Sequence, residues 1–460
     1  MLRKMLTGGG TVLIALVLAA SLFAFAGCKK EVSIKGKTVL IGGFSNPYDV
    51  ETYEPRSEDE EMILEARKKF LKDNNLIMRD DQFGEYNTYF QEMVNKIISG
   101  DKNYGIYKME AANAIKLYKQ GLLFPISDSS VTLPERDYNK MIEKLFTFNG
   151  KVYASTQGKT ADYWQDNLIF YNKRMFGEIG EDPDILYDMQ KAGTWTWDAF
   201  HNFLRRLTID FNNNGVTDQY GIAYDGSAGF ISALVCSNGA DFVTLDSNGV
   251  FHDGTNAPAF LEAVNFYMTL VSEGVIKVPD AVLESHNPGL AAWDFHMSEF
   301  VDGRVAMIIA PEWAKTMFGE MVDEWGMVFP PKGPRAAGYR IGSSCTVFTV
   351  PNVFTKPEVD VILTAFKGWT TDLDTGKPYD PDGWKDGHWW AVRDTRSVNE
   401  TGVMQRIDSN VVYQVSLLIP GYGDVSSQFA TLMIFAEGTP AQYIEEYAPR
   451  FQALIDDANR

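Results

Sequence analysis

Three cysteines in 460 residues are too few for a disulfide framework, and Cys236 and Cys345 stand so far apart that they read as two separate thiols. Histidine is equally scarce. The five, His201, His252, His286, His296 and His388, are scattered, and no H-E-x-x-H occurs. There is no G-x-S-x-G and no phosphate-binding loop, so the common signatures of zinc hydrolases, α/β-hydrolases and nucleotide-dependent enzymes are missing. Basic residues are outnumbered, 42 Lys and Arg against 61 Asp and Glu, for a formal charge of −19. That balance argues against nucleic acid as a partner and against docking on anionic lipid through a basic patch. No internal repeat or low-complexity tract is seen, and past the first thirty residues no run is long and apolar enough to span a membrane.

What is present begins at the first residues. Arg3 and Lys4 give a positive end, an uncharged stretch runs from Met5 to Gly27, and its apolar core is Val12 to Ala26. Phe25-Ala26-Gly27-Cys28 closes it. A basic start, an apolar centre and small residues at the cut form an export signal. The segment resembles a bacterial lipobox, with Phe25 standing where Leu is usual, and this implies that Cys28 carries acyl chains on its sulfur. Residues 1–27 are then a lipoprotein signal peptide and residues 28–37 a tether. An uncleaved membrane helix is the competing reading of the same run. Both put the rest of the chain outside the cytoplasm, tethered to the outer face of the cell membrane.

The remaining 430 or so residues, roughly, exceed what one core holds and suggest two lobes. Thr38-Val39-Leu40-Ile41 reads as a buried strand ended by Gly42-Gly43. Ser57 to Asp73 reads as a helix with a Ser57/Glu60 capping box and lysines in its last turn. Leu76-Ile77-Met78 is a second strand. Phe90, Met93, Val94, Ile97 and Ile98 form a helical apolar stripe stopped by Gly100. Tyr104–Tyr107 is a third strand and Ala111–Gln120 a third helix. Strand and helix alternating at this spacing mean a parallel sheet covered by helices. A second region starts near Asn167 with the strand Leu168–Tyr171. There Thr196 caps a helix whose face is Phe200, Phe203, Leu204 and Leu207. Gly338 to Val350 reads as a strand returning to the first lobe, and the chain beyond Lys356 as mainly helical. Trp195 and Trp197, beside a helix start, read as packing residues.

Four stretches carry a resemblance: Tyr104 to Leu123; Asn167-Leu168-Ile169-Phe170-Tyr171-Asn172-Lys173; Thr194-Trp195-Thr196-Trp197 with the Asp210–Gly221 loop; and Phe300 to Met307 followed by Pro311-Glu312-Trp313. Together they resemble the bacterial extracellular solute-binding proteins of the sugar-binding class, receptor subunits of ATP-driven importers. The resemblance implies a two-lobed periplasmic-binding-protein-like α/β fold with hinge strands and a ligand cleft between lobes. The first lobe would take residues 38–165 plus about 340–370, and the second 166–339 plus about 371–460. It implies a monomeric receptor that binds a small solute, most readily a carbohydrate or oligosaccharide, and hands it to ABC permease subunits. A sugar needs flat aromatics against its ring faces and amides and carboxylates around its rim, where an unpaired buried group costs about 1–3 kcal/mol. The family motifs point to Met109, Glu110 and Asn113, to Tyr163, Trp164 and Asp166, and to Phe230 and Trp313. Phe44 and Tyr48 after the first strand join them, as does the Trp389-Trp390 pair with Arg393, of which Trp390 is taken as the cleft-facing member. Phe230 reads equally well as core, and Glu110 as a helix cap.

Asp210, Asn212, Asn214, Gly215 and Asp218 fit D-x-[DN]-x-[DN]-G-x-x-D. Side-chain oxygens at 210, 212, 214 and 218, with the Val216 carbonyl, suit a structural calcium ion. An EF-hand has Glu at the twelfth position, where this chain has Gly221. An Asx-rich turn needing no metal is the alternative. No other cofactor is expected.

Two further function classes stay open at this level: a receptor for a peptide or other polar solute, and a surface glycoside hydrolase. The hydrolase would need paired carboxylates, but 61 acids always supply some pair, so that signal is empty, and the chain reads as a non-enzyme. The anchor rests on one sulfur. Cys28→Ser is expected to take up no labelled fatty acid and to leave the membrane fraction; a variant that is still labelled refutes the lipobox.

Overall fold

The computed structural model describes residues 32–44, 48–54, 58–85, 88–133, 143–156, 167–226, 228–246, 250–287, 290–319, 321–343, 346–370, 410–435 and 437–460. The first lobe is built from alternating buried strands and helices: β1 (Thr38–Gly43), α1 (Glu58–Asn74), β2 (Ile77–Gln82), α2 (Tyr89–Ile98), β3 (Tyr104–Glu110), α3 (Ala111–Lys119) and β4 (Leu123–Phe124). The short strand β5 (Ala154–Ser155) follows. β2 and β3 both lie parallel to β1, one on each side. Gly42 and Gly43 close β1 as expected, as its last two residues, and a Cβ on Gly42 would stand 2.5 Å from the Phe83 ring and 2.7 Å from Tyr104. Two aromatic side chains occupy the space a larger residue would need.

Helix α2 presents Tyr89, Met93, Val94 and Ile97 to the core, positions one turn apart on one face. Ile98, expected in that stripe, is 69% exposed, because it lies one residue round from Ile97 at the helix end. Along β3 the faces alternate: Tyr107 and Met109 enter one core with α2 and α3, and Ile106 enters the other with Val39, Ile41 and Trp369.

The second lobe comprises β6 (Leu168–Asn172), α4 (Trp197–Arg206), β7 (Tyr220–Ala223), α5 (Gly229–Ser237), α6 (Pro258–Ser272), β9 and β10 with α7 between them, and β11, where β8 (Val243–Leu245) precedes α6. Here β9 is Ile276–Lys277, α7 Phe295–Val301, β10 Val305–Ala310 and β11 Trp325–Val328. The Thr196 hydroxyl accepts the Ala199 N–H at 3.5 Å as the cap of α4, and Phe200, Phe203, Leu204 and Leu207 are all buried. Trp195 and Trp197 are core: their indole N–H groups donate to the Phe329 carbonyl at 2.8 Å and the Ser237 hydroxyl at 3.1 Å. Cys236 is a buried thiol; Cys345 lies outside the described residues.

The run from Gly338 to Val350 is two strands, not one: β12 (Ile341–Ser343) and β13 (Thr346–Pro351). The chain then continues through α8 (Lys356–Thr370), β14 (Val411–Tyr413), α9 (Tyr422–Met433) and α10 (Pro440–Ala458). β13 joins the first-lobe sheet antiparallel to β3, giving the order β2-β1-β3-β13-β4 with β5 also on β13. β12 instead pairs with β14. The second-lobe sheet has the order β9-β7-β10-β6-β11. β9 and β10 flank β7 in parallel, and β6 is antiparallel to β10. The two sheets therefore share one plan: three parallel strands with the first in the middle, then an antiparallel fourth. Among the described residues no helix is long and apolar enough to cross a membrane.

One carboxylate ties the lobes together. Asp241, at the entrance to β8, accepts the Val415 N–H and the Ser416 hydroxyl, each at 3.1 Å. Those residues open the 3₁₀ turn Val415–Leu418, and Tyr413 and Leu418 on either side of them are buried in the first-lobe core. Lys119 at the end of α3 also reaches Asp457 near the end of α10, donating to its carbonyl. Burial pushes the Asp241 carboxyl up to about 6, against the hydrogen bonds from Ser416, Val415, Phe242 and Val243, which pull it down. A carboxyl raised by folding stabilises the fold when protonated. That contribution is complete below the unfolded value near 4 and is lost as pH rises through about 6. Asp241→Asn should remove this dependence. Urea unfolding at pH 4 and pH 6.5 is expected to show wild type losing stability relative to the variant as pH rises, by on the order of 2 kcal/mol; parallel profiles would contradict it.

Candidate functional site

In an open α/β sheet, ligands sit at the carboxyl ends of the strands where the strand order reverses. In the first lobe that point lies between β1 and β3. β1 delivers Phe44 there, and β3 delivers Glu110 and the first turn of α3. Glu110 occupies the N-cap position of α3 in an extended conformation, but its side chain does not cap the helix. Asn113 is nearly buried. Its amide nitrogen donates to the Tyr89 oxygen at 2.7 Å, and its amide oxygen accepts from Lys116 Nζ at 3.3 Å. The Phe44 ring lies against Tyr89, with centroids 4.6 Å apart. Phe44, Glu110 and Asn113 are therefore brought together, through a tyrosine that the sequence reading did not single out.

Three expected wall residues lie elsewhere. Met109 is wholly buried, because strand alternation sends it to the core face between Lys108 and Glu110. Phe230 is core as well. Its N–H donates to Asp225 Oδ2 at 3.0 Å, and its ring packs edge-on to Phe200 and Tyr267. Tyr48 lies on the outer edge of β2, exchanging main-chain hydrogen bonds with Asp80 at 3.1 and 2.9 Å. Its ring meets Trp369 edge-on at 5.7 Å, and the Arg67 guanidinium stands 5.0 Å over it. That places Tyr48 on the far side of β2 from the reversal point. Tyr163, Trp164, Asp166, Trp389, Trp390 and Arg393 lie outside the described residues, as does Cys28.

In the second lobe the reversal lies between β7 and β10. β7 leads into Tyr224 and Asp225. β10 leads into Pro311 and the 3₁₀ turn Glu312–Phe318. Trp313 in this turn is 37% exposed, with the buried Ala310 before it and the buried Ala314 and Phe318 after it. An indole anchored on both sides yet partly open to water is placed to receive a ligand rather than to fill a core. Glu312 and Lys315 form an ion pair beside it. A second tryptophan, Trp293, is 67% exposed just before α7. The preceding Ala291 and Ala292 lie within 4.0 Å of where a Cβ on Gly226 would stand, so this segment also borders the carboxyl end of β7. The sequence reading missed Trp293. Its only signal was an isolated aromatic entering the helix that leads to the Phe300–Met307 motif.

The Asp210–Asp218 loop lies at the opposite, amino end of β7. The Ile209–Gln219 bridge closes it. Asp210 accepts the Asn214 and Gly215 N–H groups at 3.2 and 2.7 Å, and Asn212 accepts Asn214 N–H at 3.0 Å. Asn214 accepts Val216 N–H at 2.7 Å, and Asp218 accepts Phe211 N–H at 2.9 Å. Asn213 and Gly215 supply the positive φ angles, 56° and 85°. The main-chain amides hold the Asp210 carboxyl below its ordinary range, Gly215 foremost. The side-chain oxygens of Asp210, Asn212, Asn214 and Asp218 thus each accept a main-chain N–H within one small loop, the bonding of an Asx-rich turn.

The family profile of bacterial extracellular solute-binding proteins matches residues 65–359. No curated protein matches the chain in sequence. Among solved structures, the chain is similar to an ABC substrate-binding protein of Listeria monocytogenes in complex with cycloalternan (15% identity, TM-score 0.62, covering 91% of this chain and 99% of that one). It is also similar to the GacH receptor of Streptomyces glaucescens, solved unliganded and with acarbose (14%, 0.63, 92% and 99%). A third is the cyclic alpha-maltosyl-1,6-maltose binding protein of Arthrobacter globiformis (14%, 0.63, 91% and 99%). At such identities the likeness carries the fold: two lobes, each with its strand ends toward a shared cleft.

Proposed function

This chain belongs to the bacterial extracellular solute-binding proteins, and from that premise we propose that it is the carbohydrate receptor of an ABC importer, taking an oligosaccharide into the cleft and passing it to permease subunits. The observation that carries this reading is the pair of exposed indoles, Trp313 and Trp293, on the second-lobe rim. On the first lobe, Glu110 and Asn113 at the strand ends supply polar edges, while Phe44 is buried in the core against Tyr89. Rings stacked on indoles and hydroxyls met by carboxylate and amide are what a neutral sugar requires. The similar proteins, one in complex with cycloalternan, one with acarbose and one a cyclic maltosyl-maltose binding protein, support an oligosaccharide over a single ring. The receptor reading also places the protein outside the cytoplasm, held by acyl chains on Cys28 after removal of residues 1–27.

The test is a melting-temperature screen with maltotetraose, cycloalternan and acarbose, with chromatography of the sugars afterwards. A rise with intact sugar is expected. Cleavage products would mark an enzyme, and no rise with any of the three would overturn the carbohydrate reading. Trp313→Ala sharpens it. An exposed indole should cost about 1 kcal/mol or less in stability, whereas a core Trp costs about 3–5. Affinity for the sugar that binds should fall roughly thirtyfold, on the order of 2 kcal/mol.

We read the Asp210–Asp218 loop as a structural calcium site, since its ligands stand at the end of β7 remote from the cleft. Millimolar calcium should raise the melting temperature of wild type and not of Asp210→Ala. An equal response in both proteins rules the site out.

A further inference from the structure

Helix α2 crosses from β2 to β3 over β1, and Tyr89 is its first residue. That position puts one side chain within reach of three elements of the first-lobe rim at once. The Tyr89 ring packs on Phe44 at the end of β1. Its oxygen takes the Asn113 amide N–H at 2.7 Å from the first turn of α3. The main chain of Glu110, where β3 passes into α3, bonds the same oxygen. A phenol has one O–H and two acceptor positions, so these bonds occupy its acceptor capacity. The Asn113 amide is in turn fixed at both ends, by Tyr89 on its nitrogen and Lys116 on its oxygen. The contrast is Tyr107 in the same core, whose buried hydroxyl has no hydrogen-bond partner among the described residues.

We propose that Tyr89 is the positioning residue of the first-lobe rim, setting the relative placement of Phe44, Glu110 and Asn113 that the ligand meets. The role in binding rests on the carbohydrate-receptor reading; the role in ordering the rim does not. A buried hydroxyl that fixes two elements acts through the groups it holds, and touches no ligand itself.

Tyr89→Phe keeps the ring on Phe44 and deletes the oxygen. In ligand-free protein, residue-resolved amide hydrogen exchange should show Glu110 and the first turn of α3 exchanging about tenfold faster, with the second lobe unchanged. Tyr107→Phe should leave those amides as in wild type. Maltotetraose affinity should fall about tenfold in Tyr89→Phe and stay level in Tyr107→Phe. Asn113→Ala should reproduce the part of this exchange change that comes from the Asn113–Tyr89 bond, and its effect should be less than additive with Tyr89→Phe in the double variant, because the two substitutions share that bond. Unchanged exchange at Glu110 in Tyr89→Phe overturns the proposal. So does faster exchange spread evenly over the first lobe, which marks a packing role only, or an equal effect of both phenol deletions. Should wild type itself bind no maltotetraose, the exchange comparison still judges Tyr89, and the failure belongs to the choice of ligand.

Discussion

Parallel strands cannot be joined by tight turns; each connection must cross back over the sheet, and helices then cover both faces. This constraint governs the molecule. With both faces of each sheet covered, ligand access is confined to the strand ends. Placing the first of the three parallel strands in the middle, β1 in one lobe and β7 in the other, with later parallel strands added on either side, splits the connections at its carboxyl end. There the helices leave to opposite faces and open a crevice. Phe44, Glu110, Asp225 and Trp313 follow strands that end at these points. Their position is a result of strand order rather than of any local sequence preference.

The two rims solve different physical problems. On the first lobe, polar groups are held by one another: amide to phenol, lysine to amide, ring to ring. Such a surface is rigid because every buried donor or acceptor would be costly to leave unmatched. On the second lobe, Trp313 is held by its flanks, with Ala310 before it and Ala314 and Phe318 after it sunk in the core. Hydrogen bonds are directional and indole faces are not. The pairing of a fixed polar edge with broad apolar faces lets shape select a ligand class and hydrogen bonds select within it.

How far this was legible in sequence depends on the range of the forces involved. The α2 stripe and the Thr196 cap are local and could be read directly. Gly42 and Gly43 were legible as the strand end, but the reason Gly42 carries no side chain was not: Phe83 and Tyr104, distant in sequence, lie where that side chain would be. Met109 could have been excluded from the wall by strict alternation along β3, since Glu110 beside it was already placed there. Phe230 and Tyr48 required tertiary knowledge: one is turned inward by Asp225, and the other is drawn to the edge of β2. Trp293 has no motif around it. Its value comes from the approach of Ala291 and Ala292 to Gly226, a contact between segments more than sixty residues apart.

The late arrival of β13 has a consequence for how the protein is made. β13, which sits in the midst of the first-lobe sheet, is drawn from residues 346–351, about three quarters of the way along the chain. Chains are synthesised from the amino end and tend to fold domain by domain as they emerge. Here the first lobe cannot complete its sheet until the whole second-lobe sheet has appeared, because β3 would face solvent with an unpaired edge. A topology that withholds a central strand until late in synthesis makes the folding of the leading lobe wait on the trailing one.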